Sequence, residues 1–108
     1  MSKYNDLEQR TTKFAIAVAI TCTGIQTTLV TKEILKQLIR SSGSIGANYR
    51  EANHCITKKD RIHKINLSRK EANETEHWLQ ILRGITENHE IESLLIELDR
   101  TTKNIHSY

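Results

Sequence analysis

The sequence predicts an all-α protein, an up-down-up-down antiparallel four-helix bundle, and three observations support this prediction. Apolar residues recur at spacings of three and four along most of the chain, which is the period of amphipathic helices. The 108 residues include no proline, so the usual interruption of long helices is absent. Aromatic residues make up only 5% of the chain, so a core of Leu, Ile, Val and Ala is expected, with little apolar area for a deep ligand pocket. We expect a single domain over residues 1–108.

The first predicted helix begins at Asn5, where Asn-Asp-Leu-Glu has the form of a capping box, and ends near Gly24. After a Thr-rich turn, a second helix keeps one apolar phase from Ile34 to Ile56. That phase continues without a shift through RSSGSIGANYREA, residues 40–52, whose composition resembles a flexible linker or a phosphate loop. The segment lacks the lysine and the spacing of a P-loop, and a linker would not preserve the phase. We therefore predict that it is helical.

Two glycines in the middle of the second helix predict a close helix crossing. A glycine inside a helix costs about 1 kcal/mol relative to alanine, so Gly43 and Gly46 are expected to permit close approach of a neighbouring backbone. With a turn near residues 56–57, the expected register places Ser41 and Ser42 opposite Ala72 of the third helix. The prediction is a tight crossing of the second and third helices, with the serine hydroxyls bonded to their own helix.

The third predicted helix begins at another capping box, from Thr57 to Asp60, and its buried seam has strictly alternating spacings of three and four. A fourth helix is expected from about Glu90, with acids in its first turn and bases in its last, as the helix dipole favours. Short connections make successive helices antiparallel neighbours. The predicted seam of the third helix consists of Ile65, Ser68, Ala72, Thr75, Leu79 and Leu82.

Three segments of the chain resemble one bacterial protein family. They are EQRTTKFA at residues 8–15, QLIRSSGSIGANYREA at residues 37–52 and KEANETEHWLQIL at residues 70–82. Together they resemble the four-helix bundles known as 23S rRNA-intervening sequence proteins, or S23 ribosomal proteins, over nearly the whole chain. The resemblance implies a homopentamer, and a relation to the accessory protein of diversity-generating retroelements, a basic pentameric barrel that binds nucleic acid and a reverse transcriptase. The chain departs from the family pattern in the first turn, which lacks the typical proline, and in a short turn before helix four.

No residue pattern indicates catalysis, a metal site or a cofactor. Glu-x-x-His, the motif of di-iron bundles, occurs at residues 51–54 and 74–77. The expected register separates Glu51 from Glu74 by about 18 Å along the bundle, too far to share a metal. Cys22 and Cys55 lie on or beside buried faces, where thiols are more often inert than reactive. We therefore predict a protein that is not an enzyme, with no catalytic residues, metal or cofactor.

Charge is unevenly distributed along a chain whose net charge is +3. Residues 58–70 are strongly basic, with Asp60 the single acid, whereas residues 84–99 contain acids and neither Lys nor Arg. The turn between helices two and three should share one end of the bundle with both termini, which add Lys3, Arg10, Arg100 and Lys103. We call this end the basic pole, and it would attract phosphates with little base specificity. The predicted nucleic-acid-binding residues are Arg50, Lys58, Lys59, Arg61, Lys64, Arg69 and Lys70.

Two functions of different classes are compatible with these features. The leading hypothesis is a non-enzymatic homo-oligomer that binds RNA or DNA phosphates through the basic pole, and the alternative is an oligomeric adaptor that binds another protein through its helical flanks. Trp78 either covers the core of its own bundle or anchors a subunit interface. The charged residues of the basic pole can equally form an ordinary solvated surface. The cysteine pattern and the lack of an apolar run of about 20 residues predict a reduced, cytoplasmic protein that does not enter a membrane.

Overall fold

A computed structural model describes residues 3–105, with side chains from residue 6 onward, and consists of four α-helices. Helix α1 spans Lys3–Thr23, α2 spans Thr31–Asn53, α3 spans Lys58–Ile85 and α4 spans His89–Thr102. Each helix packs against its neighbours in the order α1, α2, α3, α4 and back to α1, and the contact between α2 and α3 is the most extensive. Across the described residues, no Cα atom of α1 lies within 8 Å of one in α3, and the same holds for α2 and α4. The predicted all-α four-helix bundle is confirmed, with α1 and α3 diagonally opposed.

The seam predicted for the third helix is buried along its whole length, from Ile65 to Leu82. Its two hydroxyl residues satisfy their polar groups inside the bundle: Ser68 Oγ donates to the Ile45 carbonyl at 2.7 Å, and Thr75 Oγ1 lies 2.8 Å from the Glu71 carbonyl. A buried polar group without a partner would cost stability, so these bonds let small hydroxyl side chains occupy core positions. Buried apolar side chains from all four helices form one cluster.

The ends of the first two helices differ from the prediction. Helix α1 already includes Lys3, so Asn5 is not its N-cap. Helix α2 ends at Asn53, three residues before the end of the predicted stripe, and the side chain of Ile56 is 94% exposed. The prediction that Ile56 lies on the buried face is wrong, because the helical phase that placed it there stops where the chain turns.

The turn at residues 54–57 is held by polar contacts that the apolar pattern does not reveal. The Thr57 hydroxyl accepts a hydrogen bond from the Asp60 backbone N–H at 3.1 Å and caps α3, as predicted. The guanidinium of Arg61 donates to the carbonyls of Cys55 at 3.1 Å and Ile56 at 3.2 Å. These bonds satisfy two carbonyls of the turn, which lies between the end of α2 and the start of α3.

Residues 40–52 are helical, as predicted, but the role predicted for the two glycines is wrong. A Cβ atom added at Gly43 would meet nothing within 4 Å. A Cβ atom added at Gly46 would lie 2.7 Å from Thr11 Oγ1 and 3.0 Å from Thr11 Cβ. The close approach therefore joins α2 to α1 at Gly46, and Gly43 takes no part in it. The sequence predicts a crossing with α3 instead because it does not show which neighbour each face of α2 contacts.

The contact between α2 and α3 uses the serines of the same segment. Thr75 Oγ1 lies 2.8 Å from Ser41 Oγ, and the Ser68 bond to Ile45 keeps the two helices in the expected register. Both serine hydroxyls also bond to their own helix, Ser41 to the Leu38 carbonyl at 3.4 Å and Ser42 to the Ile39 carbonyl at 3.2 Å. Ala72 is buried in this seam. Small side chains thus line the contact, although neither glycine does.

Candidate nucleic-acid interface

The turn between α2 and α3 lies at the same end of the bundle as the start of α1. Asn53 Nδ2, in the last residue of α2, donates to Glu8 Oε2 at 2.9 Å. The first turn of α3 follows directly after residues 54–57, and therefore lies at this end too. The sequence predicts the basic pole at this end. The side chain of Lys3 lies outside the described residues.

Several cations of the basic pole are already paired with carboxylates of the same chain. The four pairs are Arg10–Glu97 at 2.8 Å, Arg50–Glu8 at 3.5 Å, Lys64–Glu51 at 2.6 Å and Lys103–Asp99 at 3.1 Å. The hydrogen bond from Lys64 to Glu51 raises the pKa of Lys64. Exposed pairs contribute about 0–1 kcal/mol each and can exchange partners, but their charges largely cancel at a distance. The net positive charge of the basic pole is therefore smaller than the sum of the basic residues predicted for it.

Three other predicted residues have different surroundings. Arg61 holds the turn through its bonds to two carbonyls, so its guanidinium has a structural role. Arg69 and Lys70 are exposed on α3 about 17 Å from its first residue, given the rise of the helix. They lie along the side of the bundle, so the seven predicted residues do not form one cluster at its end.

Lys58 and Lys59 have the clearest capacity to bind an anion. Both are exposed in the first turn of α3, and within residues 3–105 neither takes part in an ion pair. The helix dipole favours acids in a first turn by about 0.3–1 kcal/mol each and opposes cations there. Their positions are therefore not explained by stabilisation of the helix, in contrast to Glu90 and Glu92 in the first turn of α4.

The Arg10–Glu97 pair predicts a pH dependence of stability. The hydrogen bond from Arg10 lowers the pKa of Glu97 below the ordinary value of a glutamate. Because the pKa of Glu97 is lower in the folded state than in the unfolded state, the pair stabilises the fold at pH values above the unfolded-state pKa. This stabilisation is lost as the pH falls through the folded-state pKa. Both side chains are more than a third exposed, so we expect Arg10→Gln to lower the unfolding free energy at neutral pH by less than about 1 kcal/mol.

Urea unfolding of this variant at neutral pH and near pH 3 tests the pair. The difference between the variant and the native chain should shrink at the lower pH, which lies below the ordinary pKa of a glutamate, about 4.3, in the unfolded chain. Lys13→Gln is the matched control, since Lys13 is exposed on the next turn of α1 and forms no ion pair with any described residue. A difference for Arg10→Gln that is the same at both pH values would contradict the expectation.

Trp78 lies on α3 beside a second group of charges. Arg40 of α2 forms ion pairs with Glu71, at 3.1 Å, and with Glu74, whose pKa it lowers. The indole Nε1 of Trp78 donates to Glu74 Oε1 at 3.4 Å, and its half-buried ring packs against the core. This indole is thus engaged within its own chain. Its role as a subunit-interface anchor stays a prediction.

The two glutamates considered for metal binding are held in ion pairs, and one of the two cysteines is buried. Glu51 is paired with Lys64, and Glu74 with Arg40. In the part of the chain that the structure describes, no three His, Cys, Asp or Glu side chains are grouped closely enough to hold a metal ion. Burial raises the pKa of the Cys22 thiol, which keeps it protonated. None of the described helices is both long and apolar enough to cross a membrane.

Comparison with known proteins gives the chain its family. Residues 3–107 match the sequence model of the family described as 23S rRNA-intervening sequence protein. The chain belongs to this family. Among solved structures it is similar to a protein of unknown function from the S23 ribosomal protein family of Bacteroides thetaiotaomicron VPI-5482. That similarity has 32% sequence identity and a TM-score of 0.80, and it covers 96% of this chain and 95% of the other. No match was found among curated proteins.

The resemblance to this family that was inferred from the three sequence segments is therefore confirmed. Neither the family nor the similar structure indicates an enzyme family. The sequence prediction missed the acidic partners of the basic pole. Only the pair of Asp99 with Lys103 has a visible signal, the spacing of i and i+4 on one helix. The other three pairs join different helices, so their detection requires the packing.

Proposed function

We propose that this protein is a non-enzymatic homo-oligomer that binds nucleic acid, RNA or DNA, through phosphate contacts at the basic pole. The observation that carries the proposal is the position of Lys58 and Lys59. They are exposed, they form no ion pair with any described residue, and they stand where the dipole of α3 opposes them. A stability cost of this kind is expected at a site that serves binding. Each lysine that neutralises a phosphate releases a counterion and adds to affinity.

An exposed apolar face supports the oligomeric part of the proposal. Ile16 and Ile20 on the outer face of α1 are 53% and 65% exposed. Beside them a groove of about 760 Å³ lies between α1 and α4, with Ala17, Ile20 and Leu94 among its lining residues. Exposed apolar side chains beside an apolar groove are a feature of surfaces that contact other proteins. Several copies of the basic pole in one assembly would add their weak phosphate contacts together.

The same groove also supports the second candidate function, an adaptor that binds a different protein. An apolar groove between two helices can accept an amphipathic helix of a partner. The two functions differ in their dependence on salt, because burial of apolar surface is much less sensitive to salt than a phosphate contact.

Binding measured across a salt series tests the proposal. The native chain is titrated with random-sequence duplex DNA and with a structured RNA between about 50 and 200 mM salt, while light scattering gives its mass. We expect a mass that is a multiple of the 12.5 kDa chain, and affinity that falls steeply as salt rises. A monomer would contradict the oligomeric part. Absence of binding at the lowest salt would reject the nucleic-acid function and favour the adaptor.

A further inference from the structure

The outer face of α3 carries a continuous row of polar side chains without a carboxylate. Its six positions alternate at spacings of four and three, so they follow one line along the helix for about 27 Å. All six are exposed. Across the described residues none of their side chains takes part in a hydrogen bond or ion pair. We call this row the outer stripe, and it consists of Lys59, His63, Asn66, Lys70, Asn73 and His77.

The acids of α3 lie away from the outer stripe. Glu71 and Glu74 are turned toward α2, where both bind Arg40. Asp60 and Glu76 stand about 100° around the helix axis from the stripe, one on each side. A polyanion lying along α3 would therefore meet cations and hydrogen-bonding groups without a facing carboxylate.

The side-chain chemistry of the outer stripe fits the edges of base pairs as well as phosphates. The amide of an asparagine can bond in a bidentate manner to adenine N6 and N7, and a lysine can bond to guanine O6 and N7 or to a phosphate. A salt-bridging surface needs no asparagine, yet Asn66 and Asn73 occupy two positions within the stripe. The major groove of B-DNA, about 12 Å wide, admits an α-helix, whereas the major groove of an RNA duplex is too narrow.

We propose that the outer stripe lies in the major groove of duplex DNA and that α3 acts as its recognition helix. Lys59 and Lys70 lie about 16 Å apart along the helix. Each of them contacts a phosphate or a guanine of the DNA. Asn66 and Asn73 read base edges. This inference rests on the proposed function and deepens it, since it names the form of nucleic acid and adds base recognition to phosphate binding.

The arrangement of the four helices leaves the outer stripe accessible in an assembly. Helix α3 is diagonally opposite α1, and in residues 3–105 no Cα atoms of the two helices lie within 8 Å of each other. The exposed Ile16 and Ile20 lie on the outer face of α1. A subunit contact through α1 would therefore leave the stripe on the opposite side of the protomer open to DNA.

Selection from a pool of randomised duplex DNA tests the inference, using the native chain and the double variant Asn66→Ala with Asn73→Ala. The native chain should enrich sites that have A·T pairs at fixed positions, where the asparagines read adenine, and it should bind duplex DNA more tightly than single-stranded DNA or duplex RNA of the same composition. The double variant should retain binding to unselected DNA within about twofold and lose at least about tenfold in preference for the enriched sites. Asn104→Ala, at an exposed asparagine just after the end of α4, is the control and should keep that preference.

The outcomes separate this inference from the proposed function. Salt-sensitive binding with no site preference, with equal affinity for single strands, or with the preference intact in the double variant would overturn the recognition helix and leave the phosphate contact standing. Absence of binding to any nucleic acid would reject both. Loss of folding in the double variant would be evident from its thermal unfolding. In that case the affinities of the native chain for duplex DNA, single-stranded DNA and duplex RNA would test the inference, and equal affinities would overturn it.

Discussion

Charge reversal of the two lysines in the first turn of α3, Lys58→Glu with Lys59→Glu, is expected to lower nucleic-acid affinity at least about tenfold at low salt. Each reversal removes one phosphate contact and its counterion release, and it places a carboxylate where a phosphate would lie. The salt dependence should weaken as well, by about 0.9 in the logarithmic slope for each duplex DNA phosphate that is no longer neutralised. Affinity and slope come from the same titrations across a salt series.

The same variant should fold at least as well as the native chain, and this makes the prediction sharper. Acids in the first turn of a helix interact favourably with its dipole, by about 0.3–1 kcal/mol each at low salt. We therefore expect thermal unfolding of the double variant to shift upward while its binding falls. Destabilisation cannot then be the reason for the reduced affinity.

A control with the same change in net charge is available at the other end of the bundle. Lys32 and Lys36 are exposed near the start of α2, and neither forms an ion pair with any described residue. Lys32→Glu with Lys36→Glu should lower affinity far less than the change in α3. Equal losses for the two double variants would show that total charge governs binding and that the basic pole is no site. No loss in either would refute phosphate binding at this end.

Alanine at Gly46 and alanine at Gly43 are expected to change stability in opposite directions. A Cβ atom at Gly46 would lie 3.0 Å from Thr11 Cβ and 2.7 Å from Thr11 Oγ1, well inside van der Waals contact. Thr11 is buried and its hydroxyl bonds to the Glu8 carbonyl at 2.9 Å, so it has little freedom to move. Forcing α1 and α2 apart should cost about 1–3 kcal/mol, which exceeds the gain from replacing a helical glycine.

Gly43→Ala has the same chemistry without the clash. Nothing lies within 4 Å of the position where its Cβ would stand, and the residue is exposed. The variant should be more stable than the native chain by about 0.4–1 kcal/mol, because alanine has less backbone freedom to lose on folding. Urea unfolding of both variants measures the change in the free energy of unfolding, which should be negative for Gly46→Ala and positive for Gly43→Ala. Stabilisation by Gly46→Ala would refute the close approach of α1 and α2.

A combined variant tests the proposed cause. If Thr11 is the obstacle, Gly46→Ala should cost less when Thr11 is also changed to alanine, since the 2.7 Å approach to Oγ1 disappears and only the approach to Cβ remains. Residues that touch one another show such coupling in a double-mutant cycle. Additive effects of the two changes would mean that α2 resists a side chain at position 46 for some other reason.

The sequence by itself determined the helices and the face that each one buries, because both depend on local spacing. Spacings of three and four specify an amphipathic helix whatever packs against it, and the predicted seam of α3 is buried in full. The Thr57 cap was equally visible, since a cap needs only neighbours a few residues away. The family, too, was evident from three short segments of the chain.

Only the tertiary structure decided which helix each exposed or small residue meets. The phase of α2 does not show that Gly46 meets Thr11 of α1, because that contact depends on the order of helices around the bundle. The ion pairs between helices likewise depend on how the helices pack. Glu8 and Glu51 pair with cations of other helices, whereas Lys58 and Lys59 form no ion pair with any described residue. Helical period is a local property of the chain, whereas the pairing of side chains from different helices exists only after they have packed.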